Sequence, residues 1–392
     1  MNSIPPVVLP TYNKKEVMFR RGFKTRLYDI NEMEYLDMCA GVAVTNLGHC
    51  NNRINNVIIN QVNQMIHCSN YFFNEFELIC ASMLQTKVKN EMPNARVFFC
   101  NSGTEAVESA LKFSMLRNPK QNILAMKGSF HGRTCGSLSC TYNPSYRENF
   151  MEHLNTKVFF WEFNKVEGLE EFMIENDIGI VITELVQGEG GVMPITHNFC
   201  NTLITLHKKM NFSFIIDEVQ TGVGRTGSFY CFQQFNLKPN FVTTAKGLGN
   251  GMPIGAVICD GDFDITYGQH GSTYGGNPLC TRVASIVIDT MDNDFLEGVA
   301  EMGNYFMKEL KKIDSKFIKE VRGMGMLIGV EIQLIDVNTI LESLLRSRIV
   351  CISAGKNTLR LCPPLIIKKE EIDYFTDSLE SVLNNIELWY SK

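Results

Sequence analysis

The order of short apolar runs along the chain constrains its fold more than any other feature. The four clearest runs are Arg96–Cys100, Gly179–Thr183, Phe212–Ile216 and Phe241–Thr244. Such runs are typical of strands buried inside a parallel sheet. Stretches with helical spacing lie between them, and one carries a stripe of small or apolar residues at Ala106, Val107, Ala110, Leu111, Ser114 and Met115. The alternation predicts an α/β layer architecture that binds ligands just beyond its strands.

The length of the chain predicts more than one domain. A chain of 392 residues is too long for a single small core. Beyond about residue 283 the sequence becomes charged and helix-like, with Val321–Ile332 as a predicted strand. We expect a large domain at 46–282 with a mainly parallel central sheet flanked by helices. A smaller α+β domain is expected at 283–392, joined by an N-terminal segment at 1–45.

Charge and cysteine content argue against several classes of function. A formal net charge of −5 leaves no basic surplus for nucleic acid. No stretch is apolar over the roughly 18 residues that a membrane span needs, and the N-terminus lacks the apolar run of a secretory signal. The 13 cysteines include no CxxC pair, so we expect no metal site and free, buried thiols in a cytoplasmic protein.

The motif Asn101-Ser102-Gly103-Thr104-Glu105 lies between a predicted strand and a predicted helix. Ser102 and Glu105 fit a capping box, which is a purely structural explanation. The same segment also offers hydroxyls, free N–H groups and the positive end of a helix dipole, which together can bind a phosphate. Both interpretations remain open for this motif alone.

Two further motifs resemble nucleotide-binding signatures but lack the required context. Asp217 and Glu218 end an apolar run as in a Walker B element, yet the chain has no Gly-x-x-x-x-Gly-Lys-[Ser/Thr] loop. Gly222–Gly227 matches G-x-G-x-x-G, but no small-residue helix follows it, and the next aspartate after Asp217 is Asp260. We therefore disfavour a non-catalytic nucleotide-binding protein.

Lys246 follows an apolar run and precedes a glycine-rich loop, which is an unusual position for a lysine. A surface lysine is the simplest explanation. A buried lysine is unfavourable because its charged amine loses water. An imine bond to pyridoxal phosphate would convert the amine and remove this cost. That cofactor also needs an acid at its ring nitrogen, a site that binds its phosphate (the phosphate cup) and a flat side chain against its ring. Asp217, Ser102–Thr104 and Phe130 can supply these.

Three polar segments carry residues suited to a substrate with carboxylates. Arg133 lies three residues after Phe130, Glu189 lies in the loop Gln187–Gly191, and Arg360 precedes two prolines. Arginine binds carboxylates through two parallel hydrogen bonds. An ordinary structural ion pair remains the alternative for each arginine.

In this order, the segments resemble the class III aminotransferases, a branch of the fold-type-I pyridoxal-phosphate enzymes. The resemblance spans nearly the whole chain, from Leu36 to Leu365. Its motifs are NSGTEA (101–106), SFHGRT (129–134), QGEGG (187–191), IIDEVQTGVGRTG (215–227), AKGLGNGMPIGA (245–256), HGSTYGGNPL (270–279), VRGMG (321–325) and LRLCPPL (359–365). The resemblance implies an aminotransferase that uses pyridoxal 5'-phosphate.

The resemblance assigns catalytic and ring-binding roles. It implies that Lys246 bonds the cofactor and moves the proton, while Asp217 keeps the ring nitrogen protonated. Gln220 is expected at the phenolic oxygen, with Val219 and Phe130 on opposite ring faces.

The resemblance also assigns the phosphate cup. Gly103 and Thr104, beside Ser102, are expected to bind phosphate with Thr273 from a neighbouring subunit. A homodimer with shared active sites is therefore expected.

For the substrates, the resemblance implies that Arg133 holds the distal carboxylate and Arg360 the α-carboxylate of glutamate or 2-oxoglutarate. Glu189 is expected to pair with Arg360 while the amino donor is bound and to release it for the dicarboxylate.

The donor is expected to be N2-acetylornithine. Relatives that use free ornithine tend to carry tyrosine at the position of Val42, and an apolar residue suits an acylated α-amine. Thr104 favours acetylornithine over 4-aminobutyrate. Succinyl-diaminopimelate, 4-aminobutyrate and ornithine remain alternative donors, and a racemase is a more remote one.

Overall fold

The structure, a computed structural model, describes residues 7–120 and 122–390. Residues 1–6, where the expected N-terminal segment begins, and residues 391–392 of the expected C-terminal domain lie outside the described residues. The domain boundaries at 45 and 282 stay a prediction.

The described residues form 17 strands and 12 α-helices, numbered here in chain order, and three short 3-10 helices. The strands are β1 (Phe19–Phe23), β2 (Arg26–Asp29), β3 (Glu34–Asp37), β4 (Arg96–Cys100), β5 (Asn122–Met126), β6 (Val158–Trp161), β7 (Ile178–Thr183), β8 (Val186–Gln187), β9 (Met193–Pro194), β10 (Ser213–Asp217), β11 (Phe241–Thr244), β12 (Gly255–Cys259), β13 (Ile318–Met324), β14 (Leu327–Ile332), β15 (Ile349–Val350), β16 (Ile352–Ala354) and β17 (Thr358–Leu361). The helices are α1 (Ala40–Ala43), α2 (Asn52–Val62), α3 (Glu75–Val88), α4 (Gly103–Arg117), α5 (Cys135–Cys140), α6 (Pro144–Arg147), α7 (Leu169–Glu175), α8 (His197–Met210), α9 (Pro278–Thr290), α10 (Asn293–Leu310), α11 (Val337–Arg346) and α12 (Lys369–Tyr390).

The central sheet has seven strands in the order β4-β12-β11-β10-β7-β5-β6. Only β12 runs antiparallel to its neighbours; the pairs from β11 to β6 are parallel. The predicted mainly parallel sheet is therefore confirmed. Every residue of β7, β10, β11 and β12 is buried, which explains why these segments carry apolar side chains on both faces.

Helix α4 covers one face of this sheet and contains the predicted apolar stripe. Ala106, Val107, Ala110 and Leu111 are buried and pack in a cluster with residues of β10, β11 and β12. The stripe of small side chains lets the helix approach the sheet closely. The start of α4 is thereby held beside the ends of the central strands.

Two smaller sheets involve the C-terminal part of the chain. Strands β13, β14, β17 and β16 form an antiparallel sheet, whereas β15 pairs in parallel with β3 of the N-terminal sheet. The single strand predicted at Val321–Ile332 is wrong. The chain turns at Gly325, whose φ of 53° is left-handed, and makes a hairpin of β13 and β14.

All 13 cysteines are unpaired. Nine of them are buried, as expected, but Cys50 and Cys135 are exposed, which corrects the expectation for those two. Within the described ranges, no helix combines the length and the apolar character needed to cross a bilayer.

Candidate active site

The motifs meet at the carboxyl edge of the central sheet. Asp217 is the last residue of β10 and is paired in register with Thr243 of β11. Lys246 follows two residues after β11, and α4 begins at Gly103, directly after the loop that leaves β4. Because carboxyl ends of parallel strands share one edge, segments far apart in sequence converge there.

The carboxylate of Asp217 is almost fully buried and held from three sides. Its Oδ2 lies 2.7 Å from Nδ1 of His131, while Oδ1 accepts hydrogen bonds from Thr243 Oγ1 and Val219 N, each at 3.0 Å. His131 is 2% exposed, and its Nε2 has no partner. A carboxylate fixed in this way can present a stable negative charge to a cationic ring nitrogen.

Lys246 begins a 3-10 turn that ends at Gly249 and has a left-handed φ of 46°. Among the described residues its amine makes no hydrogen bond or ion pair. Desolvation and then the positive charge of Arg360 lower the pKa of Lys246 to about 8, opposed by Asp217 and Glu184. A lysine with a lowered pKa carries more neutral amine near pH 7 and is a better nucleophile.

The phosphate cup is predicted at the start of α4. Ser102 caps the helix, its Oγ accepting from Glu105 N at 3.3 Å. The Glu105 side chain accepts from Asn101 N rather than from the backbone of Ser102, so the capping box is incomplete. Backbone N–H groups at a helix start attract anions.

Hydroxyl groups extend this cup. The Thr104 hydroxyl lies 2.9 Å from that of Thr134 and 2.6 Å from that of Ser137. Gly132 allows this approach, because a Cβ there would lie 2.2 Å from Thr104 Oγ1. The cluster offers several adjustable donors to a phosphate.

Two glycines let the expected ring-binding residues pack directly against the backbone. A Cβ on Gly103 would lie 2.6 Å from Val219 Cγ1, and one on Gly188 would lie 1.9 Å from Gln220 Oε1. Phe130 is partly buried, with its N–H donating to Glu184 Oε2 at 3.0 Å. The buried acid, the nearby lysine and the helix start fit pyridoxal phosphate.

Arg360 and Glu189 form an ion pair. The Arg360 side chain is 6% exposed, and its Nη2 lies 3.1 Å from Glu189 Oε2. Arg360 Nη1 donates to Gln220 Oε1 at 3.3 Å, whereas its Nε is buried without a partner. The other Glu189 oxygen accepts from the Tyr146 hydroxyl at 3.1 Å. A single carboxylate on a glycine-rich loop therefore neutralises a buried arginine.

Arg133 is exposed, and among the described residues it makes no hydrogen bond or ion pair. Its guanidinium carbon lies 3.8 Å from the ring centroid of Tyr146 and 5.5 Å from that of Phe130. The ring faces orient the guanidinium by cation–π attraction. Its N–H groups remain available for an anionic ligand.

Two predicted site residues are not joined to this group by any described contact. Thr273 is exposed, although its neighbour Ser272 accepts a hydrogen bond from Asn101 at 3.2 Å. Val42 lies in α1, a single turn whose four residues all have positive φ. The residue before this turn, Cys39, is connected to the end of β17 through Cys362, whose thiol donates to Cys39 O at 3.3 Å.

Sequence reasoning missed four site residues, His131, Tyr146, Glu184 and Glu218. Glu184 and Glu218 are buried, and desolvation raises the pKa of each to about 7. Glu218 supports the turn after β10 by accepting from Thr221 Oγ1 and Phe232 N. His131 belongs to the SFHGRT motif (129–134). Its contact with Asp217 joins residues that are 86 positions apart, and no local sequence pattern predicts it.

Comparisons with known proteins give concordant matches. A family model described as aminotransferase class-III matches residues 10–383. The acetylornithine aminotransferase of Aquifex aeolicus is 38% identical over 96% of this chain and 99% of its own length. That of Bacillus anthracis is 38% identical over 95% and 96%.

Solved structures agree with these matches. An ornithine aminotransferase from Toxoplasma gondii, which carries pyridoxal phosphate at partial occupancy, superposes with a TM-score of 0.92, 27% identity and coverage of 99% and 94%. The N-acetylornithine aminotransferase of Stenotrophomonas maltophilia K279a superposes with a TM-score of 0.83, 28% identity and coverage of 96% and 98%.

Proposed function

The chain belongs to the class-III aminotransferases, which use pyridoxal 5'-phosphate, and we propose that it transfers the terminal amino group of N2-acetylornithine to 2-oxoglutarate. The products are N-acetylglutamate 5-semialdehyde and glutamate, a step of arginine biosynthesis. The two substrates are expected to bind in turn at the same site.

When bound, the cofactor supplies an electron sink for the substrate carbon that loses its proton. Lys246 holds the cofactor and carries that proton, because its lowered pKa lets it accept and return a proton near neutral pH. Asp217 keeps the ring nitrogen protonated. Val219 and Phe130 would hold the two faces of the ring, and Gln220 would bind its phenolic oxygen.

The phosphate group is assigned to the start of α4. Backbone N–H groups at Ser102, Gly103 and Thr104 would bind the anion, and the hydroxyl cluster around Thr104 would add donors. Because α4 packs on the central sheet, its start would hold the phosphate in a fixed position.

The observation that carries the substrate assignment is the ion pair between Arg360 and Glu189. A dicarboxylate can displace Glu189 and bind Arg360 through its α-carboxylate, with Arg133 at its other end. N2-acetylornithine has one carboxylate, which binds Arg133. Its amino end carries no carboxylate, so Glu189 stays paired with Arg360. A buried arginine without a partner would cost several kcal/mol, so each substrate needs its own arrangement.

Val42 supports an acylated donor, since an apolar side chain offers no hydrogen bond to a free α-amine. Succinyl-diaminopimelate is also acylated and is the second donor that we propose. Ornithine is the main alternative, because ornithine aminotransferases are among the structural neighbours. 4-Aminobutyrate is a further alternative.

We also propose a homodimer in which Thr273 reaches the phosphate of the partner subunit. Tyr71 and Phe73 are each 95% exposed and Phe72 is 72% exposed, which is unusual for three adjacent aromatic residues. Asn70 ties this segment to the Thr273 loop by donating to Ser272 O and Gly275 O. The 13 unpaired cysteines suit a reducing cytoplasm, where we place the enzyme.

The test is to mix the purified holoenzyme with one amino donor at a time, without any oxo-acid, and follow the loss of cofactor absorbance. The donors are acetylornithine, succinyl-diaminopimelate, ornithine and 4-aminobutyrate, with glutamate as the shared positive control. Acetylornithine and glutamate should bleach the cofactor fastest. A comparable rate with succinyl-diaminopimelate adds a second physiological donor. Faster bleaching by ornithine or 4-aminobutyrate would overturn the donor assignment.

A further inference from the structure

Tyr146 touches both arginine subsites. It lies in the short helix α6, which follows the cap residue Asn143 and begins at Pro144. The side chain is partly buried and projects between Glu189 and Arg133. Any change in the position of Tyr146 therefore affects the groups that we assign to the two ends of a dicarboxylate.

The hydroxyl of Tyr146 acts on Glu189. It donates to Oε1 at 3.1 Å, while Oε2 of the same carboxylate faces Arg360 at 3.1 Å. Desolvation, followed by the charge of Glu189, raises the pKa of Tyr146, so the hydroxyl keeps its proton near neutral pH. Glu189 is thus held at both oxygens in the position that closes the Arg360 subsite.

The ring of Tyr146 acts on Arg133. The guanidinium carbon lies 3.8 Å from the ring centroid, and Phe130 packs edge-on against the same ring at 6.1 Å and 88°. Arg133 has no hydrogen-bond or ion-pair partner among the described residues, so these two rings orient its guanidinium group. The hydroxyl and the ring therefore serve different subsites.

We propose that Tyr146 is a specificity-determining residue, resting on the function proposed above. Its hydroxyl sets how readily Glu189 leaves Arg360, and therefore the preference for the acylated donor over a dicarboxylate. Its ring positions Arg133, which we expect to bind the distal carboxylate of the dicarboxylate and the single carboxylate of the acylated donor. A dicarboxylate must break the hydroxyl contact in order to bind, whereas the acylated donor leaves it intact.

Two substitutions separate these contributions. Tyr146→Phe removes only the hydroxyl. Among the described residues, Arg360 is then the one remaining partner of the Glu189 carboxylate, which a dicarboxylate therefore displaces more easily. Because Glu189 is about a third exposed, we expect a modest change, roughly three- to tenfold in favour of dicarboxylates. Tyr146→Leu also removes the ring and should weaken binding of both substrates.

The experiment measures glutarate binding to the holoenzyme by calorimetry, and cofactor bleaching by glutamate and acetylornithine. Glutarate carries both carboxylates but no amino group, so its affinity reports on the subsites without turnover. Tyr142→Phe is the matched control, since Tyr142 lies four residues away, packs on Phe160 at 5.3 Å and has no hydroxyl partner among the described residues.

Tyr146→Phe should bind glutarate more tightly and raise the glutamate-to-acetylornithine ratio of bleaching rates, with Tyr142→Phe unchanged. A structural role alone would lower both rates together and leave the ratio as in the wild type. An unchanged ratio and glutarate affinity in Tyr146→Phe would overturn the inference. The wild-type donor preference tests the proposed function separately.

Discussion

Nδ1 of His131 and Oδ2 of Asp217 lie 2.7 Å apart, and both side chains are almost fully buried. With its proton on Nδ1, His131 donates to Asp217 and orients that carboxylate, while Nε2 is left buried with no hydrogen-bond partner among the described residues. Leaving a buried nitrogen unpaired costs stability. The arrangement therefore indicates that His131 is retained for its effect on Asp217.

Replacing His131 by alanine should lower kcat/KM roughly tenfold or more with every amino donor, because a loosely held carboxylate stabilises the ring nitrogen less well. His131→Asn should lose much less, since its amide N–H can occupy the position of Nδ1. Cofactor bleaching with glutamate and acetylornithine measures both variants. A loss confined to one donor, or equal losses in the two variants, would contradict this role.

Replacing Lys246 by alanine should leave the fold intact and reduce turnover by on the order of 10²–10⁴, since proton transfer is lost. Turnover is measured with acetylornithine and 2-oxoglutarate, and borohydride reduction followed by mass spectrometry locates the cofactor attachment. Lys238→Ala is the control, because Lys238 is exposed and has no partner among the described residues. An active Lys246→Ala enzyme without a reducible attachment would refute the assignment.

The lowered pKa of Lys246 predicts how cofactor capture depends on pH. Only the neutral amine attacks the cofactor aldehyde, so the rate should rise with pH and level off above the pKa of about 8. An ordinary lysine would keep gaining neutral amine up to about pH 10. Stopped-flow mixing of cofactor-free protein with pyridoxal phosphate measures this rate.

Dividing the capture rates by those of N-α-acetyl-lysine removes the titration of the cofactor itself. The ratio should be level below about pH 8 and fall above it, because the reference amine keeps gaining its neutral form while Lys246 no longer does. Arg360→Leu should move the plateau to higher pH, since Arg360 is the second largest cause of the shift. A ratio that stays constant from about pH 7 to about pH 10 would show that Lys246 titrates as an exposed lysine does.

Part of the fold and of the candidate site can be predicted from the sequence alone. The central strands and the placement of Lys246 and Asp217 beyond them follow from local apolar runs and from the topology of parallel sheets. The hairpin at Gly325 was missed, because a glycine inside an apolar run can belong to a strand or to a turn. The positive φ of Val42 has no sequence signal, since β-branched residues disfavour that region.

Contacts between distant segments account for the remaining differences. Tyr146 meets Glu189 across 43 residues, and Arg360 meets Gln220 across 140. Such pairs depend on side-chain directions that periodicity does not specify. Arginines and a glutamate near a cofactor could be expected from their chemistry, but the tyrosine between them required the structure.

Replacing Glu189 by alanine should favour dicarboxylates and penalise the acylated donor. Without Glu189, Arg360 is left buried beside the amino end of acetylornithine, whereas the α-carboxylate of glutamate still neutralises it. We expect the ratio of kcat/KM for glutamate to that for acetylornithine to rise about tenfold or more, since the lost partner is a charged one. Glu189→Gln should behave similarly, because it keeps the shape and removes the charge.

Glu175→Ala is the control and should change neither half-reaction, since Glu175 is an exposed residue of α7. Equal effects of Glu189→Ala on the two half-reactions would rule out an exchange of partners at Arg360, and specificity would then have to come from Arg133 and Val42.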